Sequence, residues 1–351
     1  MKKKEQVQEP NIQEVADVEA VPVEEQNIIF KPNVGPQTDF LAASEREVLY
    51  GGSAGGGKSY AMLADPLRYM GHPSFSGLLL RHTTEELREL IYKSKEIYPQ
   101  IWKGIKWSER KMQWEAPSGA RLWMSYLDRD DDVLRYQGLA FSWIGFDELT
   151  QWSTPYAWNY MRSRLRSTAQ DLPVYMRATT NPGGPGHQWV KKMFIDPAPY
   201  GRKFDATDIE SGNVLSYPKG HTKAGQPLFK RRFIPARLSD NPYLAAQGDY
   251  ETMLLSLPEH QRKQLLDGDW DIKEGAAFTE FDRNIHVIEP FAIPRNWVKF
   301  RACDYGYGSY SGVLWFAVSP DEQLIVYREL YTRKVLAADL ADMILDAEAD
   351  D

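Results

Sequence analysis

The glycine-rich run from Gly52 to Ser59 has the residue types and the spacing of a phosphate-binding loop. It matches the pattern G-x-x-x-x-G-K-[ST] at every constrained position. Glycines let the backbone turn tightly so that successive N–H groups face phosphate oxygens, while Lys58 adds a cation and the Ser59 hydroxyl is a ligand for Mg²⁺. We therefore expect a nucleoside triphosphate to bind along the loop, which consists of Gly52, Ser53, Ala54, Gly55, Gly56, Gly57, Lys58 and Ser59.

A pair of adjacent acids is the second chemical signal. The apolar run from Phe141 to Phe146 leads directly into Asp147 and Glu148. Asp147 would hold Mg²⁺ through water, and Glu148 would polarise the attacking water. Because an acid that can serve as a base follows the metal ligand, this pair favours hydrolysis over phosphoryl transfer to a second substrate.

Other polar residues have the chemistry to contact the transferred phosphate. Thr180 and Asn181 close a further apolar run, and polar groups at the carboxyl end of a strand can face the γ-phosphate. Arg81 ends the run Leu78–Leu80, and Arg135 lies shortly before the acidic pair. Either arginine would stabilise the negative charge of the transferring phosphoryl group, or would be a surface residue that forms ion pairs.

Upstream of the glycine-rich loop, two residues are candidates for recognising the base. Gln37 would hydrogen-bond to the adenine edge and Phe40 would stack on the adenine ring.

The elements that must position these side chains follow from the hydrophobic pattern. From Arg46 to about Thr180, short apolar runs alternate with helical stretches, which is typical of a parallel sheet covered by helices. We expect strands at Val48–Tyr50, Gly77–Arg81, Arg121–Tyr126, Trp143–Asp147 and Val174–Thr180. We expect helices at Ser59–Met70, bent by Pro66, at Glu85–Tyr98 and at Pro155–Arg166.

The last third of the chain has a different pattern. Helical spacing from Pro242 to Trp270 gives way to a linker, three strands (Val298–Asp304, Gly312–Val318, Gln323–Leu330) and a helix at Val335–Glu348. Asp304 ends the first of these strands, but a two-metal nuclease needs several convergent carboxylates. Its possible neighbours are Glu329, Asp339 and Asp342.

Composition narrows the class of protein. No apolar run reaches the length of a membrane span and the N-terminus is not a signal peptide, so we expect a cytoplasmic protein. The single Cys303 excludes an internal disulfide, and no Cys/His cluster has zinc-ligand spacing. The net charge is −7, of which residues 1–27 carry −4, and we expect this acidic segment to be disordered. The basic runs 162–166 and 230–232, the latter with Arg237, would contact phosphates or lie on solvated surfaces.

In combination, these motifs resemble the large terminase subunit of tailed double-stranded DNA bacteriophages. The resemblance runs from about residue 28 to the end of the chain. The motifs that occur in that family's order are Gly52–Ser59, Asp147–Glu148, Thr179–Pro182, Asn241–Tyr243 with Gly268–Trp270, and Phe281–Arg283 with Asp304–Gly306.

The resemblance implies an α/β fold, with a P-loop NTPase parallel sheet and covering helices followed by the first part of an RNase H-like nuclease domain. It divides the chain into a tail (1–27), an ATPase core (28–240), a helical subdomain and linker (241–276) and a partial nuclease domain (277–351). ATP and Mg²⁺ would serve the ATPase, Asp304 would bind Mg²⁺ or Mn²⁺ in the nuclease, and Arg135 or Arg81 would be the arginine finger, acting within the chain or on a neighbouring subunit. Because the chain stops after the first helix beyond the three strands, we expect it not to cleave DNA alone.

The same resemblance implies partners and location. These are double-stranded DNA, the small terminase subunit and the portal protein of the procapsid, with a homo-oligomeric ring, no membrane, and a site of action in the host cytoplasm, outside the mature virion. Two alternatives stay open. One is a DNA helicase or recombination-type P-loop ATPase, and the other is an assembly protein in which the nucleotide only switches conformation.

Overall fold

A computed structural model describes residues 30–272, 286–308 and 310–349 of the 351-residue chain. It divides the chain into two compact units, Met1–Gly275 and Ala276–Asp351. The tail expected at residues 1–27, the start of order expected near Ile28 and the motif Phe281–Arg283 lie outside the described residues.

The first unit is built on a nine-stranded sheet. Its strands are β1 (Glu47–Gly52), β2 (Ser76–Arg81), β3 (Lys106–Ser108), β4 (Gln113–Glu115), β5 (Arg121–Tyr126), β6 (Trp143–Asp147), β7 (Tyr175–Thr180), β8 (Lys203–Asp205) and β9 (Lys230–Ala236). The strand order is β3-β4-β5-β2-β6-β7-β1-β9-β8. The strands from β5 to β9 in this order are mutually parallel, whereas β3, β4 and β8 pair antiparallel at the two ends of the sheet. The α/β class is confirmed, and each of the five strands expected up to Thr180 is present.

The first unit also contains helices. They are α1 (Pro36–Ala42), α2 (Lys58–Ala64), α3 (Thr84–Ile101), α4 (Tyr156–Arg162), α5 (His187–Val190), α6 (Pro242–Ala245), α7 (Asp249–Leu255) and α8 (Glu259–Arg262). The expected bend at Pro66 takes the form of a change to a 3₁₀ helix over Asp65–Tyr69. Proline has no N–H to continue the α-helical ladder, which explains where α2 ends. Nowhere in the described ranges does a helix have the length and apolar character that crossing a lipid bilayer requires.

Apolar side chains pack against both faces of the sheet. Leu78 and Leu80 of β2 belong to one buried cluster and Leu79 to another, because successive side chains of a strand point to opposite faces. Strands β1 and β6 are buried along their whole length. These central strands therefore place whatever follows their carboxyl ends on a rigid support.

One arginine of a basic run is buried, which the sequence did not indicate. The run 230–232 is the start of β9, a strand parallel to β1, and Arg231 is only 1% exposed. Its Nε donates to Glu47 Oε2 at 2.7 Å, and Arg162 Nε donates to Glu47 Oε1 at 2.5 Å. Burial alone would raise the pKa of Glu47, but the two guanidinium groups outweigh it and hold that pKa below its usual value. Of the two expectations for 230–232, the surface loop was wrong, since these residues form a strand in which a buried carboxylate compensates the charge of Arg231.

Between β8 and β9 the chain forms two short hairpins. Residues 207–214 close through the bridge Thr207–Val214, and residues 216–227 close through the bridge Ser216–Pro227. Both emerge where β8 ends and β9 begins. This is the amino edge of the parallel strands, because Arg231 pairs with the first residue of β1, Glu47.

The segment from Pro242 to Trp270 is helical, as expected. Helices α6, α7 and α8 are followed by a π-helical turn at Lys263–Asp267, which ends at Gly268 in the left-handed conformation. The Trp270 side chain is buried with that of Phe233 from β9. The segment therefore folds back onto the sheet of the first unit.

The second unit contains a three-stranded antiparallel sheet and a helix. Strands β10 (Val298–Asp304), β11 (Tyr310–Val318) and β12 (Leu324–Arg333) pair in that order, and helix α9 spans Ala337–Glu348. The strands and the helix lie within a few residues of the expected ranges. Val313 and Trp315 of β11 pack with Leu340 of α9 in a small buried cluster.

Candidate active site

The loop between β1 and α2 is held from several sides. Gly57 adopts a left-handed conformation with φ 76°, which glycine tolerates at no steric cost. The Lys58 side chain is buried, and its Nζ donates to the Ser53 carbonyl at 2.5 Å. Gln37 Nε2 donates to the Gly57 carbonyl at 2.9 Å, and Asn241 Nδ2 donates to the Gly55 carbonyl at 2.7 Å. The carbonyl groups of the loop thus point inward and accept hydrogen bonds from side chains.

The N–H groups of the same loop are suited to an anion. Ser53 N donates to Ala236 O at 2.8 Å and Ala54 N to Leu265 O at 2.6 Å. In the described ranges, the N–H groups of the three consecutive glycines that follow, 55–57, donate to no backbone acceptor. Unpaired N–H groups ahead of a helix N-terminus are the ordinary receptor for phosphate, so the loop fits the β- and γ-phosphates of a nucleotide.

Burial affects the charge of Lys58. It lowers the pKa of the ammonium, and the carboxylates of Glu148 and Asp147 act in the opposite direction. The lysine and the acidic pair therefore belong to one electrostatic group although they are about 90 residues apart in sequence.

Asp147 ends β6 and is 1% exposed. The Thr179 hydroxyl donates to its Oδ1, and Arg81 Nε lies 2.8 Å from its Oδ2. The Arg81–Asp147 contact is close in distance but lacks hydrogen-bond angles, so Oδ2 is a buried carboxylate oxygen with no donor among the described residues. An oxygen in this state suits water on Mg²⁺, and the half-buried Ser59 hydroxyl at the start of α2 is the second oxygen expected to bind the ion.

Glu148 follows immediately in an unusual backbone conformation. Its φ of 58° and ψ of 58° place a non-glycine residue in the left-handed region, which costs free energy and is common at functional sites. Its Oε2 accepts from Asn181 N at 3.2 Å and from the Thr180 hydroxyl at 3.4 Å. Burial, followed by repulsion from Asp147, raises the pKa of Glu148 above its usual value, while Lys58 acts in the opposite direction. A carboxylate with a raised pKa is a stronger base.

Two threonines and one asparagine connect β7 to this carboxylate. The Thr150 and Thr180 hydroxyl oxygens are 2.7 Å apart, and both side chains are buried. Thr150 N also donates to Thr180 Oγ1 at 3.3 Å. Asn181 Oδ1 is buried and has no donor in the described part of the chain. The expected pair Thr180 and Asn181 therefore lies beside Glu148, where it contacts the acid directly.

The structure distinguishes the two candidate arginines. Arg81 lies inside the site beside Asp147 and is 9% exposed. Arg135 is half exposed, its Nη2 lies 2.9 Å from Asp132 Oδ1, and its guanidinium covers the Tyr126 ring. Only Arg81 joins the group formed by Lys58 and the acidic pair. Whether either arginine acts on a neighbouring subunit stays a prediction.

The two residues expected to bind adenine lie elsewhere or are already engaged. Phe40 is fully buried and stacks on Tyr50 with ring centroids 5.2 Å apart, so the expectation that it stacks on a base was wrong. Gln37 is also buried, and besides its bond to Gly57 its Oε1 accepts from Asn33 N at 2.6 Å. Its side chain supports the glycine-rich loop, and its role in base recognition stays a prediction.

Asp304 lies in the second unit, at the end of β10, and its side chain is exposed. Within the described ranges, no group of three or more His, Cys, Asp or Glu side chains is arranged to hold a metal ion. The possible neighbours named from the sequence, Glu329, Asp339 and Asp342, thus form no such group with it.

Several contacts in the site come from segments that are distant in the sequence. Thr179 was predicted only as part of the motif Thr179–Pro182, without its bond to Asp147. Thr150 was not predicted, and neither was the contact of the π-helical turn with the glycine-rich loop, where Ser53 Oγ donates to Leu266 O at 2.6 Å. Thr179 precedes the chosen Thr180, so alternation along a strand signals that the two hydroxyls point to opposite faces. The contact with Leu266 uses a backbone carbonyl, for which the sequence carries no signal.

Comparison with known proteins gives one family and several solved structures of similar fold. The family model described as terminase large subunit, T4-like-virus type, N-terminal part, matches residues 49–285. The large terminase of a thermophilic bacteriophage, in complex with ADP, is 16% identical with a TM-score of 0.50, and the match covers 92% of this chain and 75% of that one. A second crystal form of the same terminase has the same identity and TM-score, with 91% and 75% covered.

A third solved structure, the ATPase domain of the Thermus phage P74-26 large terminase, is 13% identical with a TM-score of 0.44, covering 69% of this chain and 94% of that one. No curated protein is significantly similar in sequence. At these identities, the similarity to solved structures concerns the fold alone.

Proposed function

The chain belongs to the terminase large-subunit family, and from that premise we propose that it is an ATP-hydrolysing motor that translocates double-stranded viral DNA into a procapsid. One observation carries the ATPase part of this proposal. The loop after β1, the acids that end β6, and Arg81 at the end of β2 meet at the carboxyl edge of one parallel sheet. This edge is where open α/β sheets bind their ligands.

In this proposal, each residue has a separate task. The N–H groups of the glycine-rich loop and the Lys58 ammonium bind the β- and γ-phosphates, while Ser59 and Asp147 hold Mg²⁺. Mg²⁺, when bound, neutralises charge on the phosphate oxygens. Arg81, beside Asp147, is placed to balance negative charge that develops on the γ-phosphate during hydrolysis.

Glu148 takes the proton of the attacking water. Its raised pKa brings the carboxylate closer to the value that favours proton transfer near neutral pH. The hydrogen bonds from Asn181 N and Thr180 orient one oxygen, Oε2, which leaves Oε1 for the water. Because Thr180 and Asn181 end β7, a change at the γ-phosphate would reach that strand through Glu148.

The second unit is proposed to contribute to an endonuclease. Asp304 would be its first metal-binding acid, and Mg²⁺ or Mn²⁺ would be the ion. One exposed carboxylate does not hold two metal ions, so we expect no cleavage by the chain acting alone. A plasmid-nicking assay with either ion tests this, and cutting that Asp304→Ala abolishes would contradict the expectation.

The partners belong to the proposal as well. They are duplex DNA, the small terminase subunit and the portal protein, with several copies of the chain forming a ring on the procapsid. Assembly would take place in the host cytoplasm, and the mature virion would lack the protein.

Steady-state ATP hydrolysis with and without long duplex DNA tests the motor function. We expect duplex DNA to stimulate the wild type, Lys58→Ala to lose nucleotide binding, and Glu148→Gln to bind ATP while losing a factor of about 10²–10⁴ in kcat. Unchanged hydrolysis in Glu148→Gln would remove the proposed base.

Two further results would favour the alternatives. Strand separation with stimulation by single-stranded DNA would favour a helicase. Full packaging activity in a Glu148→Gln variant that no longer hydrolyses ATP would favour a nucleotide-dependent switch.

A further inference from the structure

Two segments of this acidic protein contain basic residues and no acids. The first extends from residue 149 to residue 170 and contains Arg162, Arg164 and Arg166. The second extends from residue 211 to residue 239 and includes the hairpin 216–227, which carries Lys219 and Lys223. Since the chain has a net charge of −7, two such segments mark local positive potential.

The fold brings both segments to the same edge of the sheet. Arg162 ends α4 and bonds to Glu47 at the start of β1, and its guanidinium lies over the Phe229 ring at the base of the hairpin, 5.4 Å from the centroid. Leu165 forms a bridge with Phe141, just ahead of β6. The amino edge of the parallel strands therefore carries both basic segments.

The cations at this edge divide into an inner and an outer group. The inner arginines, Arg162 and Arg231, are paired with Glu47 and neutralised. The outer ones are Arg164 and Arg166 beside β6, and Lys219 and Lys223 on the hairpin 216–227. None of the four outer side chains forms an ion pair with another described residue, and all but the half-buried Arg164 are exposed.

The spacing suits a duplex. In the order β6-β7-β1-β9, the strands next to which the two outer pairs lie are separated by three strand spacings of about 4.8 Å, or roughly 14 Å. This is close to the width of the DNA major groove, about 12 Å, across which the phosphates of the two strands face each other. One pair of cations can therefore contact each strand.

The tip of the hairpin 216–227 favours a polyanion over a protein surface. The tip of the hairpin 216–227 has Pro218, Gly220, Thr222 and Gln226 around the two lysines, all of them exposed. Specific protein interfaces usually have an apolar centre, whereas backbone contacts to DNA use Lys, Arg and small polar side chains.

We propose that the amino edge of the sheet, through Arg164, Arg166, Lys219 and Lys223, binds the phosphate backbone of duplex DNA. This inference rests on the proposed function, which supplies DNA as the partner. It adds that DNA and nucleotide bind at opposite edges of one sheet, separated by the length of β1, about 17 Å. The two ligands therefore do not compete for the same atoms.

Fluorescence anisotropy with a 30-base-pair duplex, measured without nucleotide over a range of KCl concentrations, tests the inference on the full chain. Each phosphate contact contributes about 0.9 to the slope of log K against log salt, which corresponds to about eightfold in affinity at 0.1 M salt. We expect Lys219→Gln/Lys223→Gln and Arg164→Gln/Arg166→Gln each to reduce the slope by about 1–2 and to weaken binding by about 10- to 60-fold.

The matched control is Arg110→Gln/Lys111→Gln. It removes two exposed cations next to β3, at the other end of the sheet, and should leave the slope and affinity unchanged. Thermal unfolding of each variant verifies that the fold is intact. Equal losses of DNA affinity in the control and the test pairs would overturn the inference, because they would show that the change in net charge alone weakens binding.

Unchanged DNA binding in both test pairs would also overturn it, and a simultaneous loss of self-association would assign the surface to a second copy of the chain. Absence of duplex binding by the wild type would instead refute DNA as the partner in the proposed function.

Discussion

Replacing Thr150 by valine removes one hydroxyl from the network that orients Glu148. Among the hydrogen bonds of the described residues, none joins Thr150 to the side chain of Glu148. Its hydroxyl lies 2.7 Å from that of Thr180, which in turn has two acceptors, Glu148 Oε2 at 3.4 Å and the Asn181 carbonyl at 3.0 Å. The Thr150 hydroxyl also donates to the Asn181 carbonyl, at 3.3 Å, and while it occupies that acceptor the single proton of Thr180 is left for Glu148. Without Thr150, the nearer carbonyl takes that proton.

The loss can be estimated from the geometry. A hydrogen bond to a charged group contributes about 1.5–3 kcal/mol to stability, and at 3.4 Å we take about 1 kcal/mol for the bond to Glu148. Losing about 1 kcal/mol of transition-state stabilisation lowers kcat about fivefold. Loss of this bond also raises the pKa of Glu148 further, because the charged form loses a donor.

Steady-state kinetics over a range of pH checks both effects. For Thr150→Val we expect a lower kcat, an unchanged KM for ATP, and an acidic limb of the pH–rate profile that moves to higher pH. Thr150→Ser retains the hydroxyl and should restore all three. A serine variant as slow as the valine variant, or a pH profile that does not move, would refute the proposed hydrogen-bond chain from Thr150 through Thr180 to Glu148.

Ser142→Ala is the matched control. It removes another buried hydroxyl, at the opposite end of β6, where Ser142 Oγ donates to Ser76 O at 3.2 Å. We expect it to reduce stability without shifting the pH profile. A shift as large as that of Thr150→Val would show that lost packing, and not the hydrogen-bond chain to Glu148, changes the rate.

Two further predictions concern stability and the glycine-rich loop. Glu47→Gln leaves Arg231 buried without its charged partner, so we expect a loss of about 3–5 kcal/mol in the free energy of unfolding, measured by urea denaturation. The folded-state pKa of Glu47 is below its unfolded value. The wild type is therefore more stable than Glu47→Gln above about pH 4.5, and this difference in stability is lost as the pH falls through the folded pKa. A difference that grew on acidification would contradict this. At Gly268, φ is 66° and a Cβ would lie 2.7 Å from Ser53 N, so Gly268→Ala should displace the glycine-rich loop and raise the KM for ATP. Gly248, with φ 69° and nothing within 4 Å of its Cβ position, is the control, and an equal effect of Gly248→Ala would show that backbone strain alone is responsible.

Local signals account for much of the fold. Strands β1, β2, β5, β6 and β7 are short apolar runs, and each lies close to its expected range. Strands β3 and β4 were missed because three residues give too little periodicity. Strand β9 was missed because it begins with three cations, a composition that indicates a surface unless the partner carboxylate is known.

By itself, the sequence determined the phosphate-binding loop, the acidic pair and the α/β class. Each of these depends on residues that are neighbours in the chain, since glycine spacing, adjacent acids and alternating apolar runs are local patterns.

The tertiary structure decided which distant side chains join them. The strand order β2-β6-β7-β1 brings Arg81, Asp147, Thr180 and the glycine-rich loop to one edge, excludes Arg135 and buries Phe40. It also separates the inner arginines, which pair with Glu47, from outer cations that form no ion pair with another described residue. The physical reason is that the role of a charged side chain depends on the groups next to it in space. In this chain, residues more than 100 positions away supply those groups, as Arg162 and Arg231 do for Glu47.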